Sequence, residues 1–238
     1  KMVERAEVTI HSHVLGDNSA AAELAGFHIA DGYEIGLYAS EQDGIANPVA
    51  SQWDARGRLW VLCTQAYAQL KPTHEPDDKL VILDDTDRDG QVDTSTIFAN
   101  GLNMPTGFAL GDGGAYIGQG HTLYHLPDKN NDDRADAMRV VFSGFGTADT
   151  HQNINSFTWS PGGDLLFCQG MHAFSRIETP WGISRADWSA VWRLRTDSWS
   201  GFPIAGSWSW RKNTMLLNIK PVTIPGCFIR AFITSPAL

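Results

Sequence analysis

Cysteine is scarce in this 238-residue chain: Cys63, Cys168 and Cys227 stand far apart, with no CxxC or CxxCH spacing. An odd, dispersed set argues against a disulfide framework, a zinc knuckle or a covalently attached c-type haem within the sequence. No apolar run reaches the ~18 residues that a membrane-spanning helix needs. Basic residues are also few. Eighteen Lys and Arg against 27 Asp and Glu leave a net charge of −9, which disfavours nucleic acid and anionic lipid as partners. Long Ala, Leu, Glu and Lys runs are nearly absent, so extended helices are not expected. The sequence opens at Lys1 without a signal-peptide pattern, as a fragment or a processed chain would.

What is present points to many short strands. Hydrophobic residues make up 42% and charged residues 19%, enough apolar surface for a real core. Gly (23), Pro (11) and Trp (9) are plentiful, the balance of an all-β chain with tight turns.

One layout recurs three times. Asn47-Pro48-Val49-Ala50 leads to Trp53-Asp54-Ala55-Arg56-Gly57-Arg58-Leu59-Trp60-Val61. Met104-Pro105-Thr106-Gly107-Phe108 leads to Gly111-Asp112-Gly113-Gly114-Ala115-Tyr116-Ile117. Asn155-Ser156-Phe157-Thr158-Trp159 leads through Ser160-Pro161-Gly162-Gly163 to Asp164-Leu165-Leu166-Phe167. Each reads as an apolar strand, a Gly-centred turn and a second apolar strand, which is a hairpin. Gly57 and Gly113 are 56 residues apart, and Gly113 and Gly163 are 50 apart. A third strand follows each hairpin, at 79–83, 122–126 and 190–195, and a fourth is readable at 96–99 and 138–142. Four strands at a period near ~50 residues form the sequence signature of β-propeller blades. A β-sandwich gives no reason for turns and acidic segments to recur in order. The fold expected is therefore all-β: about three four-stranded blades at 47–197, part of a six-bladed ring whose other blades lie outside this sequence. Residues 1–46 supply an incoming strand at Tyr33–Tyr38, and 198–238, with Trp199, Trp208 and Trp210, form an atypical tail.

Two acidic loops share a frame. The first places Asp85, Asp87, Asp89 and Asp93 around Gly90; the second places Asp128, Asn130, Asp132 and Asp136 around Asp133. Oxygen ligands at alternate positions, a Gly at the tight turn and a further carboxylate suit a hard cation such as calcium. Solvated acidic turns are the plainer alternative. Because the loops join outer strands, bound calcium would hold a long connection in place.

The candidate chemistry lies elsewhere. Asp149-Thr150-His151-Gln152-Asn153-Ile154-Asn155 precedes the first strand of the third blade, where loops feed a propeller's central channel. An imidazole titrates near ~6.5, so His151 is the candidate general base. Gln152, Asn153 and Asn155 are candidates for orienting it or a substrate hydroxyl. Gln119 with His121, and Gln169 with His172, follow the second strands of their hairpins and would face the same rim. Cys63, Gly118 and Cys168 occupy equivalent positions just before, most simply as small core residues. Arg176 and Arg193 are candidates for an anionic cofactor.

Several of these runs together resemble a known family. They are Ile45-Ala46-Asn47-Pro48, 53–61, Ile82-Leu83-Asp84-Asp85-Thr86-Asp87, Gly101-Leu102-Asn103-Met104-Pro105-Thr106-Gly107, Gly144-Phe145-Gly146-Thr147 and 149–157. The family is the membrane-bound dehydrogenase propeller domain abundant in planctomycetes and verrucomicrobia, and the resemblance covers about residues 25–196. That family is distantly similar to soluble glucose and sorbosone dehydrogenases, six-bladed propellers that use pyrroloquinoline quinone and calcium. The resemblance implies a quinone-dependent sugar or alcohol dehydrogenase, with His151 taking the hydroxyl proton as hydride passes to the quinone. It also implies a periplasmic or extracytoplasmic location and a cytochrome as electron acceptor. In the similar enzymes the quinone-binding Lys and Arg lie in later blades, and the tail after Asp197 departs from the family pattern. A non-catalytic, calcium-stabilised propeller that binds carbohydrate or protein through Trp53, Trp60 and Tyr67 is the rival expectation. A hydrolase or lactonase propeller is a third.

Overall fold

The computed structural model describes residues 19–67, 75–179 and 182–196; the tail expected from 198 onward lies outside the described residues. The fold is all-β, in antiparallel sheets with one short α-helix among the described residues, α1 (Ala20–Ala25).

The first sheet is a meander of β1 (Pro48–Trp53), β2 (Leu59–Cys63), β3 (Asp78–Asp84) and β4 (Thr94–Leu102), paired in that order. Leu59-Trp60-Val61-Leu62-Cys63 is buried throughout because β2 lies inside the sheet with both faces covered. Such a strand reads as a continuous apolar run, whereas a half-exposed one alternates. β1 does alternate between half-buried and exposed positions. Its turn to β2 is shaped by Asp54, whose Oδ1 accepts the N–H groups of Arg56 and Arg58, and by Gly57 at φ 84°.

The second sheet repeats the plan with β5 (Pro105–Gly111), β6 (Gly114–Gln119), β7 (Thr122–Pro127) and β8 (Arg139–Ser143). The third holds β9 (Asn155–Trp159), β10 (Asp164–Gln169) and β13 (Ala190–Arg195), with β10 in the middle. All three hairpins and all five later strands expected from the sequence are present. Between β10 and β13 the chain inserts a separate two-stranded hairpin, β11 (Phe174–Thr179) and β12 (Gly182–Asp187), which the repeat did not announce.

The sheets pack face to face through apolar layers. Trp60, Leu62, Leu80 and Ile82 meet Phe108, Ala115, Ile117 and Leu126 between the first two sheets. Tyr116 and Leu123 meet Ile154, Leu165, Phe167 and Trp192 between the second and third. Each such side chain contributes about 1.5–3 kcal/mol when fully buried. Polar contacts align the first strands. Gln52 Oε1 accepts the Leu110 N–H at 3.0 Å, the Trp159 indole N–H donates to Leu110 O at 2.8 Å, and Thr106 donates to Ile154 O at 2.7 Å. β1, β5 and β9 therefore lie side by side, and β5 and β9 run in one direction. Gly118 permits the close approach of the second and third sheets, since a Cβ there would lie 2.8 Å from Ile154 O.

The strand expected at Tyr33–Tyr38 does not form. The segment has no ladder partner among the described strands, and its end is held by the β3–β4 connection, whose Val92 N–H donates to Tyr38 O. Tyr38 and Ala39 are buried against Leu59, Val61, Val81 and Leu83. Only this end of the segment packs on a sheet face, while Tyr33, Glu34 and Gly36 are exposed.

Candidate functional site

β1, β5 and β9 line a cleft of about 650 Å³, bordered by Tyr67 and by the 3-10 turn Thr150–Gln152. Its polar groups are neutral hydrogen-bonders: Ser51, Gln52, Thr106, Asn155 and Ser156. His151 stands at its mouth, largely exposed. Asp149 caps the 3-10 turn, and its Oδ1 accepts both the His151 backbone N–H and ring Nδ1 at 3.0 Å. Those two hydrogen bonds, the backbone one first, hold the Asp149 carboxyl below its ordinary range. With Nδ1–H donated to the carboxylate, the Nε2 lone pair is the one available to accept a proton.

Tyr67 meets the His151 imidazole edge to face at 5.3 Å. The turn that carries it is fixed from below. Asn47 donates to the carbonyls of Thr64 and Tyr67, while buried Asp78 accepts from the Thr64 hydroxyl, Ala66 N–H and Met104 N–H. A buried carboxylate needs such partners to remain in place. Asp78 and Tyr67's contact with His151 join elements far apart in sequence, so no local pattern marks them.

The other candidates divide. Asn155 lines the cleft, and its amide donates to Asn153 O. Asn153 is buried, with an Oδ1 that finds no partner among the described residues. Gln152 is half-buried, and its backbone carbonyl accepts the Gly170 N–H. Gln119 accepts the Asn103 N–H across the β4–β5 connection. His121 is exposed at the β6–β7 turn and does not line the cleft. His172 is exposed and packs on Trp188. Gln169, expected at the rim, is instead 3% exposed, with both ends of its amide bonded inside the protein. Five internal partners claim the side chain.

Cys63 and Cys168 are strand residues whose thiols burial pushes up, away from nucleophilic use. Trp60 belongs to the core, with its indole N–H on Asp54. Arg176 pairs with Asp187, and Arg193 lies 3.8 Å from Asp164.

The acidic loops join β3 to β4 and β7 to β8, at the sheet end opposite the His151 turn. They are built alike. The N–H groups of Gly90 and Asp133 donate to Asp85 and Asp128; those of Thr86 and Lys129 donate to Asp93 and Asp136. Asp89 N–H to Asp87 has its counterpart in Asp132 N–H to Asn130. Arg88 and Asn131 both adopt positive φ, at 64° and 57°. Among the described residues Asp85, Asp87 and Asp89 each bring a carboxylate oxygen within 4.8 Å of the others. In the second loop Asp133 replaces the glycine, and its carboxylate turns away to Arg58 at 2.7 Å.

No helix among the described residues is long and apolar enough to cross a membrane. Among curated proteins none matches this sequence significantly. One family model, described as a domain of unknown function (DUF7133), matches residues 19–207. A match over most of the sequence, spanning every described sheet, means that the chain belongs to the DUF7133 family.

Proposed function

We propose that this chain is part of a β-propeller whose cleft binds a hydroxylated substrate of the sugar or alcohol class, with His151 removing a hydroxyl proton. The Asp149–His151 pair at the cleft mouth carries this reading. Asp149 holds the imidazole in one tautomer and would stabilise the imidazolium formed when Nε2 takes the proton. Ser51, Gln52, Thr106 and Asn155 offer neutral donors and acceptors that match hydroxyl groups. The repeated four-stranded meanders with their first strands side by side support the propeller.

The resemblance noted above brings in pyrroloquinoline quinone, a tricarboxylate. The described residues lining the cleft include no Lys or Arg, and Arg176 and Arg193 face carboxylates elsewhere. These residues do not fit the quinone, so no step is derived through it. Calcium is different. We propose that it occupies the Asp85–Asp93 loop, where convergent carboxylates support a structural ion, and the like-built Asp128–Asp136 loop. Such sites suit a calcium-rich extracytoplasmic compartment.

A second reading, glycan binding without turnover, is favoured by the neutral lining and by Tyr67 at its border. Calorimetric titration of sugars and alcohols, paired with a dye-reduction assay with and without added quinone, separates the two. Turnover lost by about 10²–10⁴-fold in His151→Ala supports the base. Binding without turnover selects the second reading. Neither binding nor turnover across the panel sinks both.

A further inference from the structure

Gln169 ends β10 and gathers two loops around one buried amide. Its Nε2 donates to Trp188 O at 2.6 Å and reaches Ala173 O at 3.3 Å and Ala186 O at 3.4 Å. Its Oε1 accepts from Ser175 at 2.6 Å and from the Trp192 indole at 2.9 Å. The Trp188 N–H returns to Ala173 O at 2.9 Å. The β10–β11 and β12–β13 loops are thus locked together from beneath.

What those loops present outward is aromatic. Trp188 is 52% exposed and Phe174 50%, their rings 5.3 Å apart, and exposed His172 sits 5.8 Å from the same indole. Trp188 and His172 both hold positive φ, 68° and 69°. That region is costly for bulky side chains and persists where surrounding bonds over-determine it. Among the described residues this arrangement leaves Trp188 and Phe174 about half exposed. Exposed, rigidly held apolar groups mark binding surfaces.

The loop that carries this platform touches the turn at the cleft's border. The Gly170 N–H donates to Gln152 O at 3.0 Å, and a Cβ on Gly170 would collide with the Gln152 side chain. The loop bearing His172 therefore rests directly on the turn bearing His151.

We infer that Trp188, Phe174 and His172 form a stacking subsite for a further ring of a saccharide whose first ring occupies the His151 cleft. The inference rests on reading that cleft as a hydroxyl-binding site. An indole face matches the C–H face of a pyranose, and His172 supplies a hydrogen bond to a ring hydroxyl. A protein partner fits less well, because a stable interface takes about 800 Å² and 20–30 residues from each side. This platform is three rings.

Calorimetry on the full chain with glucose, cellotetraose and maltotetraose tests it. One tetramer binds about tenfold tighter than glucose. Trp188→Ala abolishes that gain without changing glucose affinity, and Trp188→Phe keeps most of it. Unfolding midpoints of both variants establish that they fold. No gain from glucose to either tetramer, no binding of either tetramer, or a gain that survives Trp188→Ala overturns the subsite. Loss of glucose binding in Asn155→Ala, which removes a polar group of the cleft lining, reports on the cleft separately. If glucose affinity is untouched there while the tetramer gain still needs Trp188, the cleft reading fails and the platform stands.

Discussion

Asp133 accepts a hydrogen bond from the Arg58 guanidinium at 2.7 Å, tying the second acidic loop to the β1–β2 turn of the preceding sheet. Arg58 is only 10% exposed at its side chain and also donates to Asp54 at 2.9 Å. Asp133 occupies the place of Gly90 in the first loop, at φ 63° where Gly90 has 98°. An aspartate in the left-handed region is tolerated, at a cost, when its side chain has a partner.

Asp133→Gly relaxes the backbone but leaves Arg58 with Asp54 alone. We expect a net loss of about 1 kcal/mol, between an exposed and a fully buried pair. For a domain of this size that lowers the unfolding midpoint by roughly 2–4 °C. Placed in an Arg58→Met background, the same substitution is neutral or stabilising. An equal loss in both backgrounds disproves the coupling.

Asp54 makes stability depend on acid. Burial pushes its carboxyl up, but hydrogen bonds from the Trp60 indole and Arg58 outweigh that and hold it below the ordinary value of 3.8. A depressed folded value means that the ionised group stabilises the fold above the unfolded value and ceases to do so as pH falls through the folded one. The stability gap between the wild type and Asp54→Asn is therefore full above about pH 4 and closes at lower pH. Urea unfolding from pH 2 to 7 measures it, and a gap that does not change with pH removes the explanation.

Calcium at the Asp85 loop raises the unfolding midpoint. Free ion at 100 times its dissociation constant contributes about 2.7 kcal/mol, roughly 5–10 °C here. Asp87→Ala or Asp89→Ala abolishes the shift due to this loop, and Asp132→Ala reports on the second loop. Identical melting in chelator and in excess calcium rules out both ions.

Gly118→Ala destabilises by about 1–3 kcal/mol, the range for overpacking, because the new methyl meets the Ile154 carbonyl at 2.8 Å and the Phe157 ring at 2.9 Å. Gly162→Ala, in an exposed turn whose nearest neighbour is 3.8 Å away, is close to neutral. Equal midpoints for the two variants would mean that the sheets do not meet at Gly118.

Local chemistry made much of this legible. Gly57, Gly113 and Gly163 adopt the positive φ that hairpin turns require, and that demand is visible in a residue's identity before any contact forms. The two acidic loops could be aligned from their spacing, and their backbone hydrogen bonds match because Asx side chains bond to their own neighbours. Tyr33–Tyr38 misled for a related reason. Its alternation describes an extended chain, but alternation does not specify that a partner strand lies beside it.

Side-chain direction was the harder problem. Gln169 and Gln119 look alike in sequence, each ending the second strand of a hairpin, yet Gln169 is sealed under the β11–β12 insertion while Gln119 remains half-buried. Phe174–Thr179 does alternate buried and exposed, a signal that the charged residues around it obscured.

From sequence alone came the all-β character, the repeating hairpins, the acidic loops and a histidine ahead of the third repeat, since each depends on residues within a few positions of one another. Tertiary structure alone decided that Asp149 and Tyr67 flank His151, that Asp133 reaches Arg58, and that Gln169 is buried while Trp188 is exposed. The physical reason is that burial and partnering of a polar group depend on which distant segments arrive beside it, and nothing in the local chain encodes that arrival.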